Sequence, residues 1–222
     1  MDFLGKNILI TGGSRGIGLA ICNIFKSLGG NVISLNSKDC DFTKDNIKES
    51  LKNINNIDIL VNNAGINKID SFSEINDDDF DNIMKVNVRA PFILSKHIIS
   101  NMKLNNWGRI VNIASIWGSK SKPQRTSYTT SKSALIGMTK TMAIEHAQYN
   151  ILINSVSPGF TDTELTSKIL TNKEKEKLIN QVPIKRMADP KEIANTVAFL
   201  CSDLNTYITG QDIIVDGGFT IT

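Results

Sequence analysis

Residues 6–28 read Lys6-Asn7-Ile8-Leu9-Ile10, then Thr11-Gly12-Gly13-Ser14-Arg15-Gly16-Ile17-Gly18, then LAICNIFKSL. The first block is a short apolar strand and the last carries apolar residues at helical spacing, so the glycines mark a strand-to-helix turn. Gly12, Gly16 and Gly18 permit a tight turn, close approach of backbone to a pyrophosphate, and packing of the helix on the sheet, while the free N–H groups that open the helix attract negative charge.

The same rhythm continues along the chain. Apolar runs near 7–10, 31–35, 57–61, 109–113, 151–156 and 212–215 alternate with helix-period stretches near 15–28, 44–54, 77–104, 127–147 and 190–202. That alternation predicts parallel strands joined by crossover helices, with a ligand at the carboxyl ends of the strands, where Gly12, Asn63, Ser115 and Pro158 fall. With 222 residues, 41% hydrophobic and 21% charged, the chain reads as one domain spanning 1–222. No apolar run reaches the ~20 residues of a membrane span and the start lacks signal-peptide features, so a cytoplasmic protein without membrane contact is expected. A net charge of +3 gives nucleic-acid binding little support. Cys22, Cys40 and Cys201 read as buried thiols, and His97 and His146 are too scattered for a metal site, so none is expected.

Tyr128 and Lys132 stand four residues apart, which puts a phenol and an ammonium on one helix face. A cation close to a phenol favours the phenolate and draws its pKa toward working pH, as acid/base catalysis requires.

Together with the TGxxxGxG spacing, Asn62-Asn63-Ala64-Gly65, Ser115, Ser157-Pro158-Gly159-Phe160-Thr161-Asp162-Thr163, Tyr207-Ile208-Thr209-Gly210-Gln211 and Val215-Asp216-Gly217-Gly218, this pair makes the chain resemble the short-chain dehydrogenase/reductase family. The resemblance covers nearly the whole chain. It implies a Rossmann fold, a doubly wound parallel sheet with helices on both faces, and reversible reduction of a carbonyl by hydride from a nicotinamide dinucleotide. Tyr128 is then the acid/base and Ser115 the group that fixes the carbonyl oxygen. Lys132 lowers the phenol pKa and bonds the nicotinamide ribose, and Asn87 holds a water that reprotonates Lys132. Cofactor contacts are implied for Gly12, Ser14, Arg15, Gly16, Ile17, Gly18, Ser37, Lys38, Asp41, Phe42, Asn63, Ala64, Gly65, Tyr128, Lys132, Pro158, Gly159, Thr161 and Thr163.

In one place the chain departs from the family. Asn31 to Asn36 runs within a few residues into Cys40-Asp41-Phe42-Thr43, which resembles the adenine-contacting end of the family's third strand, so the crossover helix is missing and that strand is expected to be a stub or irregularly paired. At the end of the second strand Asn36 stands where a carboxylate would select NAD, and Arg15 and Lys38 offer charge to a 2′-phosphate; NADP(H) is favoured, with NAD(H) as the alternative. Segment 163–189 lacks regular apolar patterning and corresponds to a substrate-covering flap.

The closest motifs are those of 3-oxoacyl-acyl-carrier-protein reductases, yet the carrier-docking bases of that group are replaced by Asn106 and Tyr149. A small ketone or a sugar-derived carbonyl is the alternative substrate, and a non-catalytic nucleotide-binding protein the alternative class. The resemblance also implies a homotetramer or homodimer formed through the helices near 77–104 and 127–147, although Ile93, Ile98, Met102, Leu135, Met138 and Met142 suit an internal core equally well. Trp117, just after Ser115, is a candidate substrate contact.

Overall fold

The computed structural model describes residues 1–44, 47–52, 54–164, 166 and 171–222. Among them six parallel strands form one sheet in the order β2-β1-β3-β4-β5-β6: β1 Asn7–Thr11, β2 Asn31–Leu35, β3 Ile59–Asn62, β4 Gly108–Ile113, β5 Ile151–Pro158 and β6 Asp212–Val215. The helices are α1 Gly16–Ser27, α2 Ile47–Ser50, α3 Asp77–Met84, α4 Ala90–Leu104, α5 Thr126–His146, α6 Asn172–Gln181 and α7 Pro190–Cys201. A doubly wound Rossmann fold results, as the alternation of apolar runs and helical stretches predicts.

β3, β4 and β5 are buried at every position, which explains their unbroken apolar reading. Two cores flank the sheet. On one side Ile8, Ile10, Ile59, Val111 and Val156 meet Ile21 and Phe25 of α1 and Ile193 and Val197 of α7; on the other Leu9, Leu60, Ile110 and Ile153 meet Leu94, Ile98 and Met102 of α4. Ile98, Met102 and Leu135, weighed above as interface residues, are therefore at most 3% exposed within this chain's own interior.

Three segments differ from the sequence reading. Residues 40–43 form no strand. Asp39 and Cys40 donate their N–H groups to Asn36 O, both at 2.9 Å, and Asp41 accepts from Thr43 N and Thr43 Oγ1, at 3.0 and 2.7 Å, so tight turns consume the backbone groups that a strand would pair. β2 is therefore the outermost strand on that side. Within the flap segment, Asn172–Gln181 is a regular helix because Thr171 and Glu174 form a reciprocal capping box that the apolar pattern does not reveal; residues 165 and 167–170 of that segment lie outside the described residues. Of the 44–54 stretch the structure describes only the short α2, Ile47–Ser50, as helix, and residues 45, 46 and 53 lie outside the described residues.

Between α3 and α4 the long helix widens into a π-turn over Lys85–Arg89, with Asn87 at its middle and fully buried.

Phe25 is fully buried, with its ring centroid 4.7 Å from that of Phe3 in an edge-to-face contact that closes the sheet at the base of α1. Phe25→Ala is expected to cost about 3–5 kcal/mol of stability. The midpoint of urea unfolding checks it.

Candidate active site

The two strands at which the sheet order reverses, β1 and β3, end side by side. Thr11 Oγ1 accepts from the N–H groups of Asn63 at 3.0 Å and Ala64 at 2.9 Å, while Asn63 Nδ2 donates to Thr11 O at 2.9 Å and Gly12 O at 3.0 Å. Above this knot opens a cleft of about 560 Å³. Its wall includes Gly12, Ser14, Arg15, Gly16, Ile17, Gly18, Ser37, Asp41, Phe42, Asn63, Ala64, Gly65 and Thr163, all expected cofactor contacts.

The glycines shape that wall. Gly12 has φ +69°, and a Cβ there would come within 3.0 Å of Ala64 Cα; at Gly18 a Cβ would lie 2.1 Å from Gly12 O. Arg15 sits at the N-cap of α1 without a side-chain cap, so the first N–H groups of the helix stay available to an anion. A backbone cradle with no room for side chains, at a helix N-terminus on the switch point of the sheet, fits a dinucleotide pyrophosphate.

Six expected contacts are not part of this wall: Tyr128 and Lys132 stand beside it, and Lys38, Pro158, Gly159 and Thr161 lie elsewhere. Lys38 is exposed and outside the cleft wall, because the turn after β2 points it to solvent. Pro158 and Gly159 pack instead against the C-terminal segment, where Gly159 N donates to Val215 O at 2.9 Å, and the buried Thr161 hydroxyl donates to Gly159 O at 3.3 Å. The cleft wall also contains Leu35, Asn36, Cys40, Thr43, Ile66, Val86 and Glu164. Of these, Asn36 carried a signal in the sequence by its place at the end of β2, and Cys40 and Thr43 by their place in the adenine-contacting stretch.

Beside the cleft, the Ser115 side chain at the end of β4 stands close enough to the Tyr128 phenol on α5 to favour its ionised form. Lys132, one turn further along α5, is 3% exposed; its Nζ donates to Ile113 O at 2.8 Å and lies 5.5 Å from the centroid of the Tyr128 ring. A Cβ on Gly65 would be 3.4 Å from both Lys132 Nζ and Asn87 Oδ1, so the lysine and the asparagine meet at the cleft wall. Asn87 is committed on every donor. Its Nδ2 donates to Ile66 O at 2.9 Å and Ser131 Oγ at 3.0 Å, and its Oδ1 accepts from Ile66 N at 2.9 Å.

The electrostatics of the pair depart from the sequence reading. Burial pushes the Tyr128 phenol above its ordinary value, opposed by the hydrogen bond with Ser115 and the Arg125 charge. The Lys132 ammonium donates to the Ile113 carbonyl and is itself destabilised by burial, from 10.5 to about 8. An amine of pKa about 8 exchanges protons readily near neutrality, which suits a relay better than a fixed charge.

A family profile described as Enoyl-(Acyl carrier protein) reductase matches residues 5–220. The chain belongs to the short-chain dehydrogenase/reductase family, oxidoreductases that move hydride between a nicotinamide dinucleotide and a carbonyl or alcohol. Among its relatives, it is 39% identical to the 3-oxoacyl-[acyl-carrier-protein] reductase of Rickettsia felis over 98% of both chains, and 36% identical to that of Aquifex aeolicus over 96% of this chain and 97% of the relative. Among solved structures, a 4-hydroxyisoleucine dehydrogenase complexed with NADH superposes with a TM-score of 0.91 at 34% identity, covering 98% of this chain and 100% of that one. A protein described as an NAD(P)-dependent gluconate 5-dehydrogenase, from Beutenbergia cavernae with bound NADP, gives 0.93 at 27% identity over 100% and 99%.

Because the folded pKa of Lys132 lies below the unfolded one, the unfolded chain holds more protons between pH 8 and 10.5 and stability rises with pH across that window. Lys132→Met is expected to gain ~3 kcal/mol at pH 7 by removing the buried charge and to lose ~1 with the bond to Ile113 O, a net gain of ~2 that vanishes at pH ~10 and turns into a small loss above it. Denaturant titrations of both proteins at pH 7 and pH 10 check it.

Proposed function

We propose that this chain is an NADP(H)-dependent carbonyl reductase, formed as one domain over 1–222, in which Ser115, Tyr128, Lys132 and Asn87 carry the chemistry. The observation that carries the reading is the convergence of the Ser115 side chain, the Tyr128 phenol and, 5.5 Å from its ring centroid, the buried Lys132 ammonium beside a dinucleotide-shaped cleft. When bound, the nicotinamide supplies hydride to the carbonyl carbon or accepts it from the alcohol. The Tyr128 hydroxyl donates its proton to the carbonyl oxygen, and its raised pKa keeps it protonated at neutral pH for that purpose. Ser115 donates a hydrogen bond to the same oxygen and holds it against the phenol. Lys132 supplies a replacement proton to the phenolate. Asn87 fixes Ile66 and Ser131, and with them the distance between the cleft wall and α5.

The NADP preference rests on Arg15, which lines the cleft, and on Asn36 in place of an acidic residue at the end of β2, with the Asp39 carboxylate turned onto Asn36 N at 2.9 Å. A 2′-phosphate there gains a charge-assisted partner in Arg15.

For the substrate, the two relatives named as 3-oxoacyl-carrier reductases support a β-keto thioester. The small-carbonyl reading is favoured by Asn106 and Tyr149 in place of bases, and by structural neighbours named for gluconate and 4-hydroxyisoleucine. We further propose a cytoplasmic homotetramer or homodimer, with Phe92 of α4 and Ile144 of α5, 51% and 81% exposed, as apolar surface for it. Among the described residues no helix is long and apolar enough to cross a membrane.

Tyr128→Phe is expected to cut turnover about 10³-fold while NADPH affinity, followed by fluorescence, stays within about twofold; retained turnover refutes the role given to the phenol. Arg15→Ala is expected to raise the KM for NADPH about 10-fold and leave that for NADH unchanged, and steady-state kinetics with both nucleotides decide it.

A further inference from the structure

On the side of Ser115 and Tyr128 away from the cleft stands a set of residues that the hydride chemistry leaves unused. Trp117 N donates to Ser115 Oγ at 3.2 Å, and the indole meets Phe160 and Phe219 edge-on, with centroids 6.3 and 6.2 Å away. Phe160 and Phe219 are themselves 4.9 Å apart. Three segments remote in sequence thus build a half-buried aromatic wall next to the reacting hydroxyls. Such a wall suits carbon rather than charge.

Two cations border it. Lys122 Nζ lies 5.2 Å from the Trp117 ring centroid, and Arg125 precedes α5 three residues before Tyr128, which puts it one turn away on the same face. Arg125 is half-buried and Lys122 lies at the exposed rim. Burial pulls both pKa values down, and the Arg125 charge adds to the fall at Lys122, so the two stand close enough to repel. They also precede a helix N-terminus whose first turn has no acidic residue, the end at which a cation is disfavoured.

Some of the chain's charges are paired, as Lys68 with Asp79 and Arg186 with Glu192. Here, among the described residues, neither Lys122 nor Arg125 has an ion-pair partner, and Arg125 Nε is shielded from water without a hydrogen bond. The neighbouring Lys120 is differently employed: it donates to Phe219 O and Thr222 O at 3.4 and 3.3 Å and holds the C-terminal turn in the wall. A half-buried guanidinium with an unpaired Nε, a second cation beside it and no counter-charge form a place that an anion from outside the chain would fill.

We propose that Arg125 and Lys122 bind a negatively charged group of the substrate, a carboxylate or phosphate a few bonds from the reacting carbonyl, so that the preferred substrate is a small oxo acid and its product the hydroxy acid. The carbonyl oxygen then lies between Ser115 and Tyr128 and the carbon chain against Trp117, Phe160 and Phe219. This rests on the reductase reading and selects its small-carbonyl branch.

The test compares 2-, 3-, 4- and 5-oxo carboxylates with their methyl esters, and phosphorylated with unphosphorylated ketones, by kcat/KM with NADPH. In parallel, the corresponding hydroxy acids and their esters are titrated calorimetrically into the intact protein with NADP added. The anionic member of at least one pair is expected to bind and react about 10- to 100-fold better than the neutral one, carboxylate and phosphate arms telling the two anions apart. Arg125→Gln and Lys122→Gln are each expected to reduce that ratio about 10-fold, chiefly through KM, with Arg125→Lys restoring part of it and NADPH affinity unchanged. Equal binding and turnover of anionic and neutral members, or a ratio indifferent to both substitutions, overturns the anion site while leaving the reductase reading in place. Selective binding of the acids with no turnover of any compound upholds the anion site and overturns the reductase reading.

Discussion

The Thr11 hydroxyl, accepting from two consecutive N–H groups at the end of β3, is the constraint on which the site depends. Parallel neighbours β1 and β3 diverge beyond their last paired residues, because the chain leaves β1 for a helix on one face and β3 for the other. Without a tie across the gap, their ends would separate and the backbone groups there would lie unpaired in a dry environment. The Asn63 carboxamide completes the tie by spanning to Thr11 O and Gly12 O. Glycine follows from that geometry: with Gly12 backed onto Ala64 and Gly18 onto Gly12 O, the turn has no volume for side chains on its inner side.

From this knot a polar path runs through the interior to α5. Gly65 and Ile66 continue from Asn63, Asn87 grips Ile66 by both backbone groups, and the same carboxamide reaches Ser131, the residue before Lys132. A second buried set, Asn62 to Asn112 at 2.8 Å and Asn112 to Thr139 at 2.8 Å, ties β3, β4 and α5 one layer deeper. Directional bonds of this kind fix the approach of helix to sheet more narrowly than apolar contact can, and the proposed chemistry needs that approach held to a fraction of an ångström. Burial of the Lys132 ammonium is the energetic counterpart: a charged group kept out of water weakens the fold so that its proton is labile.

Much of this was legible in the residues. The glycine turn, the strand and helix alternation and the four-residue spacing of Tyr128 and Lys132 are local patterns, and local patterns survive in sequence. What did not survive depends on tertiary surroundings. The π-turn at Asn87 exists because a buried amide must face two elements at once, and VNV carries no trace of it. The fate of Cys40-Asp41-Phe42-Thr43 was decided by side-chain bonds of Asp39 and Asp41 to nearby backbone, which compete with strand pairing. The exposed position of Lys38 depends on a turn whose direction the residues do not declare, and the upward displacement of the Tyr128 phenol on burial that only the folded surroundings supply.

The position of β2 at the margin of the sheet has one further consequence. No strand lies outboard of it among the described residues, so the turns of 36–43 hang from the rim and their backbone bonds are largely local. A length change there would leave the register of the other five strands intact. That rim is the natural place for natural drift or protein engineering to remodel one end of the cleft while the proton-transfer end, anchored forty residues or more away in sequence, keeps its geometry.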